Sequence, residues 1–333
     1  VGGAVMVPKA KGAAIAGRLS RFHWRAIARP TGTATPGAVP AASPTDDFNP
    51  ASIPPLVLDV DDLRLADAKL GAANLRTQPV AGGLRIEQLQ LRAPKQKIDI
   101  AGDWLGRGAA ARTRLNASVD SQDFGGLLDD LGMKGRMRGG DGQVKLDAAW
   151  VGSPAAFALA NVQGGMKASI HNGQLLEVDP GAGRVLGLLS IAQLPRRLMF
   201  DFRDFFNKGF GFNRLEGNVA IGGGVAHTDD MLIDGPAAEI KIRGNTDLRA
   251  QQFDQTIDVR PKSGNLLTVV GAVAGGPIGA AVGAAANAVL GKPLGGVGAK
   301  TYRVTGPWKE PKVEVISREQ SQAENARSGS GAP

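Results

Sequence analysis

Few residues in this sequence have the types and spacing that catalysis or metal binding needs. The three histidines, His23, His171 and His227, lie far apart, and none has a metal-ligand spacing such as His-Glu-x-x-His. Asp59, Asp61 and Asp62 could in principle hold a cation, and Asp59 and Asp61 would share one face of a strand, but no calcium-loop glycine follows them. We interpret all six residues as surface or strand positions.

Two glycine-rich stretches superficially resemble nucleotide-binding motifs. In 181–187 the third glycine comes one residue late for a dinucleotide fingerprint, and a Phe-rich run follows instead of a βαβ unit. In 298–301 Ala299 replaces the required P-loop glycine, and the segment leads into a strand. The chain has no cysteine and no Gly-x-Ser-x-Gly motif. The residues therefore predict no enzyme, no cofactor and no metal site.

Composition indicates short strands and tight turns. Glycine contributes 47 of 333 residues, about twice its usual share, and aromatic residues only 5%. The net charge is +8, with the basic residues spread along the strands. A solvated face explains this best, with attraction to anionic phospholipid as the alternative. Nucleic acid is not an expected partner, because aromatics are not interleaved with basic residues.

A strand pattern occurs twice, at 84–102 and at 231–244. Aligning the two copies superimposes Pro94 on Pro236 and Gly102 on Gly244, together with the alternating apolar residues. A repeated supersecondary unit favours an extended β-structure with a binding surface over a catalytic pocket.

We expect about 15 strands, which would give about 70 Å of sheet at ~4.8 Å per strand. Residues 1–179 are predicted as a β-repeat segment with a disordered, Pro- and Ala-rich insert at 30–54. A short helix is predicted within 123–132, and Asn172-Gly173 predicts a type I′ hairpin.

The pattern changes at Pro180. The predicted C-terminal region, 180–316, holds an amphipathic helix and Phe-rich segment (180–212), strands (213–260), apolar helices (263–291) and final strands (301–316). Residues 317–333 are predicted as a disordered tail. The chain begins at Val1 without an initiator Met or a signal-peptide pattern, so we expect it to be part of a longer protein.

Several motifs in this region occur in a specific order. They are 183–198 (GRVLGLLSIAQLPRRL), 200–212 (FDFRDFFNKGFGF), 234–240 (DGPAAEI), 244–248 (GNTDL) and 302–313 (YRVTGPWKEPKV). Together they resemble the C-terminal region of the YhdP proteins, which belong to the AsmA-like group of Gram-negative bacteria. Residues 1–179 fit that family's less distinctive β-repeat region.

The resemblance implies a periplasmic protein anchored to the inner membrane through a segment outside this chain. Its fold would be mainly β: an extended, curved antiparallel sheet forming a groove, with the C-terminal apolar helices packed at or near its end. Phospholipid acyl chains would move along this groove between the inner and outer membranes. Phospholipids and membranes are the expected partners, with envelope proteins as a further class.

Alternation of apolar and polar residues selects the side chains that would line such a groove. The candidates are Leu89, Leu91, Ile98, Ile100, Leu115, Val119, Ile240, Ile242, Ile257 and Val259. Lys97, Asp99, Lys241, Arg243, Asp258 and Arg260 would face water. Alternation alone equally fits the core of an ordinary β-sandwich, and a scaffold for envelope assembly that binds protein partners is the alternative function.

Two apolar segments are candidates for membrane contact. The residues proposed for this contact are Phe200, Phe202, Phe205, Phe206, Phe210, Val269, Val270, Ile278 and Val282. The run 263–291 has no charge and is long enough to span a bilayer, but Pro277 interrupts it, so a buried or interfacial helical pair is the favoured alternative. Packing of the Phe-rich segment against the mouth of the sheet stays open as well.

Deletion of residues 264–291 tests the hypothesis that this run contacts a membrane. Association with liposomes should fall, because the deletion removes the longest uncharged segment of the chain. Vesicle co-sedimentation of the deletion variant and the unaltered chain measures the effect. Unchanged association would contradict the hypothesis.

Overall fold

The protein is mainly β. The computed structural model describes residues 2–10, 12–24, 48–66, 68–176, 209–262, 299–308 and 311–316. These residues form 15 strands, which follow one another in chain order in one sheet, and a single α-helix. The strands are β1 (Gly2–Met6), β2 (Ile15–Trp24), β3 (Leu56–Leu65), β4 (Ala68–Val80), β5 (Gly83–Ala93), β6 (Gln96–Leu105), β7 (Arg112–Ser121), β8 (Met137–Val151), β9 (Gln163–Leu175), β10 (Phe210–Gly222), β11 (Val225–Asp234), β12 (Ala238–Asp247), β13 (Gln252–Pro261), β14 (Lys300–Pro307) and β15 (Lys312–Ile316).

The helix α1 (Phe124–Asp130) confirms the short helix predicted after β7. Its first turn is capped by Asp123, whose side chain accepts a hydrogen bond from the Gly126 amide at 2.9 Å. Four short 3₁₀ helices lie in connections, at Pro50–Ser52, Gly108–Ala110, Pro154–Ala156 and Leu159–Asn161. The predicted helices within 180–212 and 263–291 fall outside the described residues.

Pairing is antiparallel from β3 through β8 and from β11 through β15. The pair β2–β3 is parallel, so the expectation of a purely antiparallel sheet was wrong at this point. A parallel pair needs a crossover of about a dozen residues or more, and the connection from Trp24 to Leu56 exceeds that. The first residues of the two strands, Ile15 and Leu56, are therefore aligned with each other.

The repeat seen in the sequence corresponds to two structurally equivalent hairpins, β5–β6 and β11–β12. Leu91 faces Ile98 in the first, and Ile233 faces Ile240 in the second. Each hairpin also has a β-bulge at the same place: Glu87 and Gln88 oppose Ala101, as Asp229 and Asp230 oppose Arg243. The pair β3–β4 has a bulge of the same kind, with Asp61 and Asp62 opposite Ala72. A bulge of two polar residues thus occurs three times.

A glycine lies next to the residue opposite each bulge: Gly102 and Gly244 follow that residue in the chain, whereas Gly71 precedes it. A Cβ at any of the three would clash with a backbone carbonyl oxygen of the next strand, that of Arg92, Arg114 and Asp254 respectively. Glycine at these positions lets neighbouring backbones approach where the bulge twists the sheet.

The hairpin predicted at Asn172-Gly173 was wrong, because β9 continues from Gln163 to Leu175. A type I′ turn needs positive φ at two successive residues, and here Asn172 alone has it, at 54°. Gly173 serves a different purpose: its missing side chain leaves room for the ring of Phe212 in β10. A local turn signal was overridden by packing between strands.

The chain divides into two compact units. The first unit comprises Val1–Lys167 with Ala220–Gly224, and the second comprises Ala168–Val219 with Val225–Pro333. The second unit has the more completely buried core, in which Ile233, Ile240 and Tyr302 are inaccessible or nearly so. In the first unit many apolar side chains of β3 to β8 are only half-buried.

Substitution of Gly102 by alanine tests the role of the repeated glycine. We expect a loss of roughly 1–3 kcal/mol, the usual cost of forcing extra atoms into a packed site. Gly211→Ala is the matched control, because a Cβ at Gly211 meets nothing within 4 Å. Urea denaturation measures both variants; equal stabilities would contradict the steric explanation.

Candidate functional site

A continuous apolar surface covers one face of the first unit. Direct cross-strand pairing aligns one residue from each of β3 to β8 into what we call the central row. Its members are Leu58, Leu75, Leu89, Ile100, Ala117 and Leu146. A second, parallel row consists of Leu19, Val60, Ala73, Leu91, Ile98, Val119 and Val144. Neither row contains a polar side chain.

The two margins of this apolar face are built up by other elements. At one margin, α1 packs on β8, reaches β4, and buries Phe124 and Leu127; we call this the helix margin. At the opposite margin, the 3₁₀ helix Pro50–Ser52 packs on β4 and β5. The apolar face between the two margins is the floor of a trough.

Accessibility differs between the rows of the trough. In the second row, which lies nearer the helix margin, Leu19, Ala73, Leu91 and Ile98 are buried. All six residues of the central row are half-buried. The central row therefore offers accessible apolar surface over five strand spacings, about 24 Å.

All six groove candidates predicted in the first unit lie on this face. Leu89 and Ile100 belong to the central row, Leu91, Ile98 and Val119 belong to the second row, and Leu115 lies one row further from the helix margin. Lys97 and Asp99 alternate with them and point to the opposite face, where Lys97 Nζ and Asp99 Oδ2 form an ion pair of 2.6 Å.

The four candidates of the second unit are also brought together by register. Ile240 faces Val259, and Ile242 faces Ile257. All four are buried, and Ile240 is inaccessible. The apolar face of the second unit is therefore closed, whereas the apolar face of the first unit is accessible. Equivalent positions of the repeat thus differ in solvent exposure.

The polar face of the first unit is held together by direct pairs of amides and carboxylates. Asn74 donates to Asp59 at 2.6 Å, Gln90 to Asp99 at 2.5 Å, and Gln143 to Asp120 at 2.8 Å. The hydrogen bond from Lys97, followed by that from Gln90, lowers the pKa of Asp99. These pairs join β3 to β4, β5 to β6 and β7 to β8.

An open depression of about 350 Å³ also lies on the polar face, over β5 to β8. Its lining contains the charged residues Glu87, Asp99, Lys145 and Asp147, unlike the trough, and also includes Ile100, Ala117 and Leu146. Among the described residues, no group of three or more His, Asp or Glu side chains has the arrangement of a metal site.

His227 forms hydrogen bonds through both of its ring nitrogens. His227 Nε2 lies 2.9 Å from Asp229 Oδ2 in the β11 bulge, and Nδ1 lies 2.7 Å from Asn245 Oδ1. The hydrogen bond with Asp229 is the main cause that raises the pKa of His227. Protonation of the imidazole therefore strengthens the link between the bulge and β12.

Most predicted membrane-contact residues cannot be placed. Phe200, Phe202, Phe205, Phe206, Val269, Val270, Ile278 and Val282 lie outside the described residues. Phe210 is the first residue of β10 and is 3% exposed, so its ring is in the interior rather than at the surface. Within the part of the chain that the structure describes, no helix combines the length and apolarity needed to cross a bilayer.

Sequence reasoning missed part of the trough. The central row is completed by Leu58, Leu75, Ala117 and Leu146, and each stands in an alternating stretch that the same pattern could have selected. Trp104 and Trp150 lie four residues from the central row along β6 and β8 and continue the same alternation, so the pattern could have selected them as well.

The fold and site define a class: an open β-sheet protein whose main surface feature is an apolar trough, with its polar groups on the other face. A family model described as "YhdP protein" matches residues 1–313, and the chain belongs to that family. The chain is 31% identical over 224 residues to the intermembrane phospholipid transporter YhdP of Escherichia coli strain K12. That match covers 67% of this chain and 18% of the relative, so the chain spans less than a fifth of its relative's length. No solved structure matches the chain.

The raised pKa of His227 predicts a pH-dependent contribution to stability. A raised folded-state pKa gives stability that is complete below the unfolded value of about 6.5 and is lost as pH rises through the folded value. Because the side chain is 41% exposed, solvent screening limits the effect to about 0.5 kcal/mol.

An NMR titration of the imidazole resonances measures this pKa directly. In the Asp229→Asn variant the titration midpoint of His227 should move down toward the ordinary value, because the main stabilising partner is lost. A midpoint that Asp229→Asn leaves unchanged would contradict the assignment.

Proposed function

We propose that this chain is a non-enzymatic segment of a phospholipid conduit between the inner and outer membranes, with the trough of the first unit carrying acyl chains. The observation that supports this most strongly is the central row, which is apolar in all six strands and half-buried throughout. Membership of the YhdP family agrees with it, as does the E. coli relative, which is an intermembrane phospholipid transporter.

Acyl chains need a surface of this kind. They form no hydrogen bonds, so a lining without polar groups leaves nothing unsatisfied when lipid displaces water. The central row extends about 24 Å across the strands, longer than the ~15 Å hydrocarbon thickness of one bilayer leaflet. Each methylene group of the lipid that the central row removes from water contributes about 0.8 kcal/mol to the free energy of binding.

An uncovered apolar face is costly in a soluble protein unless it has a partner. Contiguous apolar patches larger than a few hundred Å² usually mark interaction surfaces. The trough is enclosed at its margins by α1 and Pro50–Ser52 while the central row stays accessible, which suits an elongated apolar ligand better than a flat protein surface. Placement in the periplasm follows from the relative's intermembrane role and is part of the proposal.

The alternative function, a scaffold that binds envelope proteins, is favoured by one observation in the second unit. Its apolar face is already closed, with Ile233 and Ile240 inaccessible, as expected of β-structure filled by its own side chains. Lipid carriage is therefore assigned to the first unit, and the second unit is the place to look for a protein partner.

Charge introduced on the trough floor tests lipid carriage. Ile100→Lys places a cation in the central row, whereas Ala101→Lys places the same charge on the exposed polar face one residue later. Ile100 is a better site than Ile98 or Ile242, because those two are only 9% and 6% exposed and a charge there would unfold the protein.

Phospholipid that co-purifies with each protein is quantified by mass spectrometry, with thermal melting as the check on folding. We expect the unaltered chain and Ala101→Lys to carry phospholipid and Ile100→Lys to carry at least tenfold less, because a charge covered by acyl chains costs more than the ~1.4 kcal/mol that a tenfold change requires. Absence of phospholipid from the unaltered chain, or equal loss in both variants, would contradict the proposal.

A further inference from the structure

The strand β15 (Lys312–Ile316), in the second unit, has one edge that faces no other described strand. Among the described strands it pairs with β14 alone. The backbone N–H and C=O groups along such an edge can form hydrogen bonds with an added strand. Edge strands are often shielded by charged side chains that point toward the core. The core side of β15 has no such charge, because its residues on that side are Val313 and Val315, opposite the buried Val304 and Tyr302.

An apolar row of the second unit ends at this edge. Cross-strand pairing aligns Met231, Ile242, Ile257, Tyr302 and Val315 on one face. The first four side chains are buried, with at most 6% of each exposed, whereas Val315 is 65% exposed. Burial of the row therefore stops between β14 and β15, and a further strand beside β15 would cover Val315.

The opposite face of β15 has charges of both signs. Lys312 and Glu314 lie two residues apart on this face, and Lys312 Nζ lies 2.7 Å from Glu314 Oε1. Both side chains are more than half exposed, at 70% and 54%. Both charges are therefore accessible to a strand that pairs with the free edge.

The sequence of β15 is complementary to itself when two copies pair antiparallel. With a two-fold axis at Val313, Lys312 of each copy lies opposite Glu314 of the other copy. On the core side, Val313 then lies opposite its own counterpart, and Val315 lies opposite Pro311 of the second copy. Opposite charges that face each other across two strands stabilise their pairing.

Charge favours this register over the two neighbouring ones that keep the faces matched. An axis at Glu314 would place the two Glu314 side chains opposite each other, and like charges in that position are destabilising. An axis at Val315 would place Glu314 opposite Ile316, so no pair of opposite charges would form across the junction. Of the three registers, the axis at Val313 alone pairs all four charges.

We infer that β15 is a docking edge for a second copy of this chain, joined antiparallel about Val313. A second copy is the occupant because the charges and the apolar residues of β15 match those of β15 itself. Directly opposite residues share a face, so the core sides of the two strands lie on the same side of the joined sheet. The contact is short, and the dimer therefore forms reversibly and depends on protein concentration. The inference goes beyond lipid carriage by the first unit and does not depend on it.

Single cysteine substitutions test the contact and its register. The chain has no cysteine, so each variant has one thiol. In Val313→Cys the two thiols meet on the axis, since directly opposite Cα atoms of antiparallel strands lie about 4.5–5.5 Å apart, within the span of a disulfide. Mild oxidation of the full chain should therefore give a disulfide-linked dimer on non-reducing electrophoresis.

Val315→Cys is the matched control. Residue 315 has the same type, lies on the same face and is 65% exposed, but its counterpart in the second copy lies four residues further along the strand, about 13 Å away. We expect little cross-linking of this variant. Equal cross-linking of both variants would show random collision, and absence of a cross-link in Val313→Cys would reject the contact.

A charge exchange tests the reason for the pairing. Glu314→Lys places like charges opposite each other, so dimerisation of the full chain, measured by sedimentation equilibrium, should weaken about tenfold. Lys312→Glu/Glu314→Lys restores opposite charges and should dimerise as the unaltered chain does. Thermal melting of each variant checks its folding.

Three sedimentation results would overturn the inference. The first is an unaltered chain that stays monomeric as its concentration rises. The second is a double variant that dimerises as weakly as Glu314→Lys, which would show that pairing across the junction does not depend on complementary charge. The third is assembly beyond a dimer, which would show that β15 pairs with a different edge of the next copy.

Discussion

Cross-strand register is the constraint on which the rest of this structure depends. Side chains of a strand alternate between the two faces, so a shift of one residue would exchange the apolar and polar faces. The bulges at Glu87-Gln88 and Asp229-Asp230 add a residue to one strand, yet Ile86 and Leu89 remain on the same face. The additional residues are polar, and Asp229 and Asp230 are tied by hydrogen bonds to His227 and Asn218. The bulges thus bend the sheet without interrupting the apolar rows.

The same repeat produces two different environments. Ile100 and Ile242 occupy equivalent positions, but Ile100 is half-buried and Ile242 is buried. Alternation determines which face is apolar, whereas elements outside the hairpin determine whether that face is covered. In the first unit α1 and Pro50–Ser52 cover the margins and leave the central row accessible, and this difference carries the functional proposal.

Local sequence patterns predicted much of this architecture. They failed where contacts with residues distant in the chain determine the local structure. The alignment of Ile98 with Ile240 and of Gly102 with Gly244 was confirmed by register, because strand alternation and a steric need for glycine are both local. The hairpin turn predicted at Asn172-Gly173 was wrong, because the ring of Phe212 from β10 occupies the space beside Gly173.

The stacking of Phe48 on Trp104, at the margin of the trough opposite α1, shows the same limit. Phe48 and Trp104 are far apart in the chain, so no local pattern predicts their stacking. Nor does alternation reveal which apolar residues stay accessible, since it assigned Leu89 and Ile257 to the same role although only the former is half-buried.

Site-specific photo-crosslinking to phospholipid tests the central claim, that the apolar face of the first unit is an open lipid-binding trough, most directly. A photoreactive p-benzoylphenylalanine replaces Ile100 or, as its neighbour on the polar face, Asp99, and the protein is irradiated with phospholipid present. The account predicts a phospholipid adduct at position 100 and none at position 99. Equal labelling at both positions, or no adduct at position 100, would contradict it.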